Sequence, residues 1–171
     1  MVKKPDERVI LMSIHPRFAS AIMEGRKDVE FRRRPIPASV AVVVVYATKP
    51  IGKIVGWFRT NGVTVAPPAQ LWDSFGSRGA IDKVAYDGYF RGSPRGAAIH
   101  IDGVRRLYRP KAIRSLGASM TVPQSFNYLP RSAFDRLAKS SEQRPAGARK
   151  IRGSMNPGST RTRSVPLVRP S

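Results

Sequence analysis

The alternation of apolar and polar positions changes its period at Gly25, and the rest of the chain is read outward from that change. Val9 to Ile14 is a short apolar run bounded by polar residues, which predicts a buried strand. His15-Pro16 then opens a helix, with proline at the first helical position, where its missing N–H costs nothing. Phe18, Ile22, Ala21 and Met23 supply the apolar stripe, and Gly25 suits the left-handed C-cap position. From Lys27 to Arg34 the period is two. Lys27, Val29, Phe31 and Arg33 would face one way in a strand; Asp28, Glu30, Arg32 and Arg34 would face the other. A strand that gives a whole face to alternating acid and base is either a solvated edge or the wall of a polar site.

Pro35-Ile36-Pro37 breaks that strand. Val40 to Ala47, β-branched almost throughout, predicts a central strand buried on both faces. Thr48-Lys49-Pro50 turns the chain into a further strand, Ile51 to Thr60, and Asn61-Gly62 predicts a hairpin into Val63-Thr64-Val65. Proline opens a short helix over residues 67 to 75, and a second is expected from Ala80 to Phe90. Ala97 to Ile101 returns to strand and continues toward Tyr108 past Asp102-Gly103. Pro110 opens a short helix to Leu116, residues 121 to 130 read as irregular, and Ser132 caps a last helix from Ala133 to Ala138. Residues 1 to 8 read as a mobile arm. From Lys139 to Ser171 no apolar period survives. That stretch cannot bury enough surface to offset ordering costs of ~1–2 kcal/mol per residue, so a disordered, basic, Arg/Ser/Pro-rich tail is expected.

Composition narrows the partners. Thirty-one Lys and Arg against eleven Asp and Glu give a net charge of +20, and 41% hydrophobic residues suffice for a core. The tail holds +7 of that charge, which leaves +13 on residues 1 to 138. Such an excess attracts polyanions, and nucleic acid is the commonest one in a cytoplasm. An anionic membrane competes, but no basic amphipathic helix with a broad aromatic face is visible. The absence of Cys fits a reducing compartment, and the charged first residues do not resemble a signal peptide. The expectation is a soluble cytoplasmic protein. No Walker A, Gly-x-Ser-x-Gly or His-Glu-x-x-His pattern occurs, and His15 and His100 are the only histidines.

Ser13-Ile14-His15-Pro16, Gly25-Arg26-Lys27, Glu30-Phe31-Arg32-Arg33, Tyr46-Ala47-Thr48, Lys53-Ile54-Val55-Gly56, Tyr89-Phe90, Gly96-Ala97-Ala98-Ile99 and Pro123-Gln124-Ser125-Phe126 follow in a fixed order. Together they resemble the ASCH family, a branch of the PUA-like β-barrels marked by a helix and a Gly-x-Lys-x-x-Glu-x-Arg strand. The resemblance implies an α+β fold: a small mixed barrel with peripheral helices over residues 9 to 138. It also implies a charged cleft bordered by Lys27, Glu30 and Arg32. Glu30 and Arg32, two apart on one face, could pair so as to fix the guanidinium for a phosphate or a base edge. Lys27 points the other way on strict alternation unless a bulge or the strand start reorients it.

Tyr46, Lys53 and Ser125 form a second group, in which an aromatic beside a cation suits unpaired bases. Tyr46 reads equally as a rim core residue, and Ser125 as a turn serine. Arg26, Arg33, Arg34 and Arg59 are expected to track phosphates. The leading reading is an RNA-binding module, regulatory in role, that needs no cofactor or metal. The alternative is a small metal-independent hydrolase on RNA, with Lys27, Lys53 or Tyr46 as acid or base, or one acting on acetylated cytidine. One ASCH branch does hydrolyse acetylated cytidine, using a Lys, a Thr and a Glu. Lys27 matches its lysine, but Asp28 and Glu30 stand where that branch carries threonines. A third reading is an adaptor whose tail docks on an acidic protein.

Overall fold

A computed structural model describes residues 7–142. The strands are β1 (Arg8–Ile14), β2 (Val29–Arg32), β3 (Val40–Ala47), β4 (Lys53–Ala66), β5 (Gly96–Lys111) and β6 (Phe126–Leu129). The helices are α1 (Pro16–Met23), α2 (Pro68–Phe75), α3 (Lys83–Phe90) and α4 (Arg131–Glu142), with 3-10 turns at Gly76–Arg78 and Ile113–Leu116. The fold is α+β, a mixed sheet with helices outside it. Its six strands run in the order β2-β5-β4-β3-β1-β6. β1 and β3 are parallel, which requires a crossover, and α1 with β2 supplies it. Every other pairing is antiparallel.

Three apolar clusters hold the sheet. Val9, Leu11, Val42, Val44, Ile54 and Trp57 pack against Ala133, Phe134 and Leu137 of α4. Ile10, Met12, Ile14, Val43, Val45 and Phe58 pack on the other face, against Ala19 and Ile22 of α1. β1 and β3 thus contribute alternate residues to two cores, which explains their nearly unbroken apolar sequences. The third cluster joins Val29 and Phe31 of β2 to Leu71 of α2 and to Tyr86 and Phe90 of α3. Each such aliphatic or aromatic side chain contributes ~1.5–3 kcal/mol on full burial. Burial, followed by the charge of Asp87, pushes the Tyr86 phenol up to about 12, and its hydroxyl donates to the Pro68 carbonyl at 2.8 Å.

The sheet curls until its two edge strands approach one another. No ladder joins β2 to β6. Instead the Arg32 guanidinium donates to the Ser13 carbonyl of β1 at 3.2 Å and to Ser125 Oγ, one residue before β6, at 2.8 Å. A side chain therefore bridges the gap where a closed barrel would have a strand pair.

Several elements differ from expectation. Asn61-Gly62 makes no hairpin: β4 runs through it, and residues on both sides pair with β5, Thr60 with Ile101 and Val63 with Ile99. Gly62 has φ +105° and Thr60 Oγ1 bonds its N–H at 3.2 Å, so the dipeptide forms a bulge rather than a reversal. β5 extends to Lys111, and Pro110 opens no helix. It lies in the register shift between Arg106 opposite Gly56 and Lys111 opposite Ile54, where a residue without an N–H is tolerated. β2 is confined to residues 29 to 32, and residues 126 to 129 are strand, not irregular. Helix α4 reaches Glu142, so residues 139 to 142 continue it; the tail beyond, and residues 1 to 6 of the arm, lie outside the described residues. Among the described residues no helix is long and apolar enough to cross a membrane.

Candidate nucleic-acid interface

The end of α1 sets the position of the first charged residue. Gly25, at φ +72°, turns the chain, and the Lys27 N–H still donates to the Ala21 carbonyl at 3.1 Å. Lys27 thus belongs to the helix exit rather than to β2, and period-two alternation does not apply to it. Its side chain is only 2% exposed. Nζ donates to the Gly79 carbonyl at 2.6 Å, lies 3.2 Å from Glu30 Oε2, and sits 4.8 Å over the Phe18 ring. Glu30, also buried, places Oε1 3.7 Å from an Arg32 guanidinium nitrogen. Lys27, Glu30 and Arg32 therefore form one row with two cations and one carboxylate. The row retains one net positive charge in a site largely shielded from water, where removing a charge from solvent is costly unless it is matched.

A strap closes over Lys27. The Asp28 N–H donates to the Arg78 carbonyl, and the Asp28 carboxylate accepts from the Arg78 guanidinium at 3.0 to 3.2 Å. Gly79 rests so closely on Phe31 that a Cβ there would lie 2.3 Å from a ring carbon. The 3-10 turn at Gly76–Arg78 thereby delivers a carbonyl to the lysine.

In front of the row lies a cavity of about 420 Å³ walled by His15, Phe18, Lys27, Glu30, Arg32 and Tyr89. A second hollow, about 660 Å³, is lined by Ser13, Arg32, Arg33, Arg34, Gln124 and Ser125. His15, Arg32 and Tyr89 line both, so the two form one cleft. Arg33 is held at its rim, donating from Nε to the Tyr89 carbonyl at 2.6 Å with its guanidinium carbon 4.9 Å from the Tyr89 ring centre. Ser13 ties the floor together: its hydroxyl donates to the Pro123 carbonyl at 2.6 Å, and its N–H to the Ser125 carbonyl at 3.1 Å.

Lys27, Glu30, Arg32, Arg33, Arg34 and Ser125 are therefore brought together. The other four candidates line neither cavity. Tyr46 is buried in the cluster with Val44, Ile54 and Trp57. Lys53 is exposed at the start of β4. Arg26 pairs with Glu24, its Nε donating at 2.8 Å, and Arg59 lies 3.6 Å from Glu7. Phe18, from the apolar stripe of α1, and Tyr89, from the Tyr89-Phe90 motif, also line the cleft. His15 does start α1, its Nδ1 accepting from the Arg17 N–H at 3.4 Å, yet it also faces the cleft. The signal for it was the collinear Ser13-Ile14-His15-Pro16 motif, in which Ser13 too reaches the site.

The profile described as ASCH domain matches residues 12–104. Among curated proteins, an ASCH domain-containing ribonuclease from Zymomonas mobilis is 29% identical over 147 residues, covering 84% of this chain and 99% of that one. The crystal structure of ASCH from Zymomonas mobilis has a TM-score of 0.74 at 29% identity, covering 81% of this chain and 99% of its own. A serine-to-alanine variant of the Zymomonas protein gives 0.71 at 27% identity, with 80% and 98% covered.

Proposed function

This chain belongs to the ASCH domain family, and from that premise we propose that it binds RNA, holding a nucleotide or a single-stranded segment in the cleft beside β2. The observation that carries the reading is the row of buried Lys27 and Glu30 with half-buried Arg32, whose net positive charge faces a cavity of about 420 Å³. That volume falls within the ~300–1,000 Å³ of small-ligand sites. Arg32 would take a phosphate oxygen, because its fork is already oriented by Ser13 and Ser125. Phe18 and Tyr89, whose rings already carry Lys27 and Arg33 beside them, would give a base aromatic contact at the cleft wall, and Arg33 and Arg34 would carry the backbone away from it. Gln124 sits where it could bond a base edge.

Titrating labelled single-stranded RNA into the full chain at several salt concentrations tests this reading. Phosphate binding requires log affinity to fall with log salt at a slope of ~0.7 per phosphate neutralised. Affinity indifferent to salt contradicts it.

A second reading, cleavage of RNA, is favoured by the name of the Zymomonas relative, a ribonuclease. Attack by a 2′-hydroxyl needs a base to take its proton and an acid to protonate the leaving oxygen. Lys27 lies in the cleft, whereas Tyr46 and Lys53 stand outside both cavities, so Lys27 is the candidate that this geometry favours. Incubating labelled RNA with the purified protein and a chelator separates the two readings. Product that Lys27→Ala abolishes while circular dichroism shows the variant folded makes the protein an enzyme, and intact RNA leaves a binding module.

A further inference from the structure

A second concavity lies on the far side of α1 from the cleft. Ala19, Ser20 and Met23 of α1 form one wall, Ala47, Ile51 and Val55 its floor, and Arg106 and Tyr108 of β5 its lip. Its volume is about 180 Å³. Two of its apolar groups are unusually open to solvent: Tyr108 is 66% exposed and Ile51 43%. An open aromatic ring beside cations is the pair of groups on which single-stranded nucleic acids stack and neutralise their phosphates. Arg106 is exposed at the same lip, and Arg109 follows one residue after Tyr108. The acidic neighbour of this region, Glu24, is already engaged by the Ser20 hydroxyl at 2.8 Å and by Arg26.

One turn, Thr48 to Gly52, stands between this hollow and the cleft and gives a residue to each. Thr48 lines the Arg32–Ser125 hollow, and Ala47 and Ile51, on either side of it, line the α1–β5 hollow. The Gly52 N–H closes that turn on the Thr48 carbonyl at 3.2 Å. A strand that left the cleft past Arg34 and Thr48 and followed that turn would come to Tyr108 and Arg106.

We infer that the Ile51–Arg106–Tyr108 hollow is a second nucleobase subsite, which takes an unpaired base from the same RNA strand that occupies the cleft. The base stacks on Tyr108 over the apolar floor, and Arg106 meets the adjoining phosphate. The inference rests on the reading that the cleft binds RNA, and it adds a length requirement: a dinucleotide reaches the cleft alone, whereas a longer strand spans both. The small β-barrels that bind single strands cover ~4–16 nucleotides, so a strand of about eight is suitable.

The test measures affinities of the full chain for a dinucleotide and for an eight-nucleotide RNA at one salt concentration. The proteins compared are wild type, Tyr108→Ala, Tyr108→Phe, Arg106→Gln and Arg32→Gln. Tyr108→Ala is expected to weaken the octamer about tenfold and to leave the dinucleotide unchanged, consistent with the loss of one stacked base. Tyr108→Phe keeps the ring and should keep the affinity. Arg106→Gln should weaken the octamer and make its salt dependence shallower. Octamer affinity lost with Arg32→Gln but not with Tyr108→Ala overturns the subsite and leaves the cleft reading in place. Loss with Tyr108→Ala but not with Arg32→Gln overturns the cleft reading and retains the hollow as an RNA site.

Discussion

Lys27 and Glu30 are a buried ion pair, and such pairs respond to truncation asymmetrically. Lys27→Met leaves the buried Glu30 carboxylate only the longer contact to Arg32, at 3.7 Å, and is expected to destabilise the fold by up to ~3–5 kcal/mol, whereas Lys27→Met with Glu30→Leu removes both buried charges and costs less. Denaturant unfolding of the two variants reads the difference. Both lose the row that presents Arg32, so RNA affinity should fall in both, which separates folding from binding. A second expectation concerns pH. Burial first, and the neighbouring Arg78 second, hold the His100 imidazole below its ordinary 6.5, against an opposing pull from Asp28. A histidine harder to protonate folded than unfolded contributes stability that is complete above the unfolded value and is lost as pH falls through the lower folded one. Melting temperature should therefore decline as pH falls below about 6.5, and His100→Gln, which keeps a hydrogen-bonding partner for Thr64 (2.8 Å from His100 Nε2), should flatten that decline. At this scale the sequence was partly legible. The acid-base alternation puts Glu30 and Arg32 on one face, as the structure does, and Lys27 joins them through the exception at the strand start, because β2 begins only at Val29 and Lys27 belongs to the helix exit.

The strap around Gly79 links element to site. Its glycine is required by space: a Cβ would press on Phe31 at 2.3 Å. Gly79→Ala is expected to cost ~1–3 kcal/mol from overpacking, and to weaken RNA binding as well by displacing the carbonyl that Lys27 holds. A substitution at Gly88 makes the control, since a Cβ there meets nothing within 4 Å. Thermal melting and RNA titration of Gly79→Ala and Gly88→Ala check both effects. Most elements were readable because apolar period and proline positions agree with tertiary packing, as in β1, α1, β3 and α2. The exceptions share one cause. Asn61-Gly62 and Pro110 carry strong local turn signals, and both are absorbed into long strands where the β4–β5 pairing shifts register. A bulge uses the same left-handed glycine that a tight turn uses, so local sequence does not distinguish the two. β6 was missed for a different reason: four residues pairing with β1 at the sheet edge leave no periodic signature.

The whole molecule carries +20, and that excess would give some affinity for any polyanion wherever the contact is made. The charge alone therefore does not localise binding. On the proposed reading it would be localised by the curl of the sheet, which brings Arg32 of β2 to Ser13 and Ser125 at the opposite edge and creates a cleft that no single segment contains. Family resemblance pointed to that cleft. The sequence could not show that Tyr46, Lys53, Arg26 and Arg59 would stand apart from it, because their separation depends on how far the sheet curls. The decisive measurement compares two variants that each lose one positive charge: Arg32→Gln in the cleft and Arg59→Gln on β4. Dissociation constants for labelled single-stranded RNA are taken at one salt concentration, with circular dichroism to confirm folding. Cleft binding predicts at least a tenfold loss for Arg32→Gln, about 1.4 kcal/mol, and little change for Arg59→Gln. Equal losses in the two variants would contradict it, and would assign the affinity to net charge.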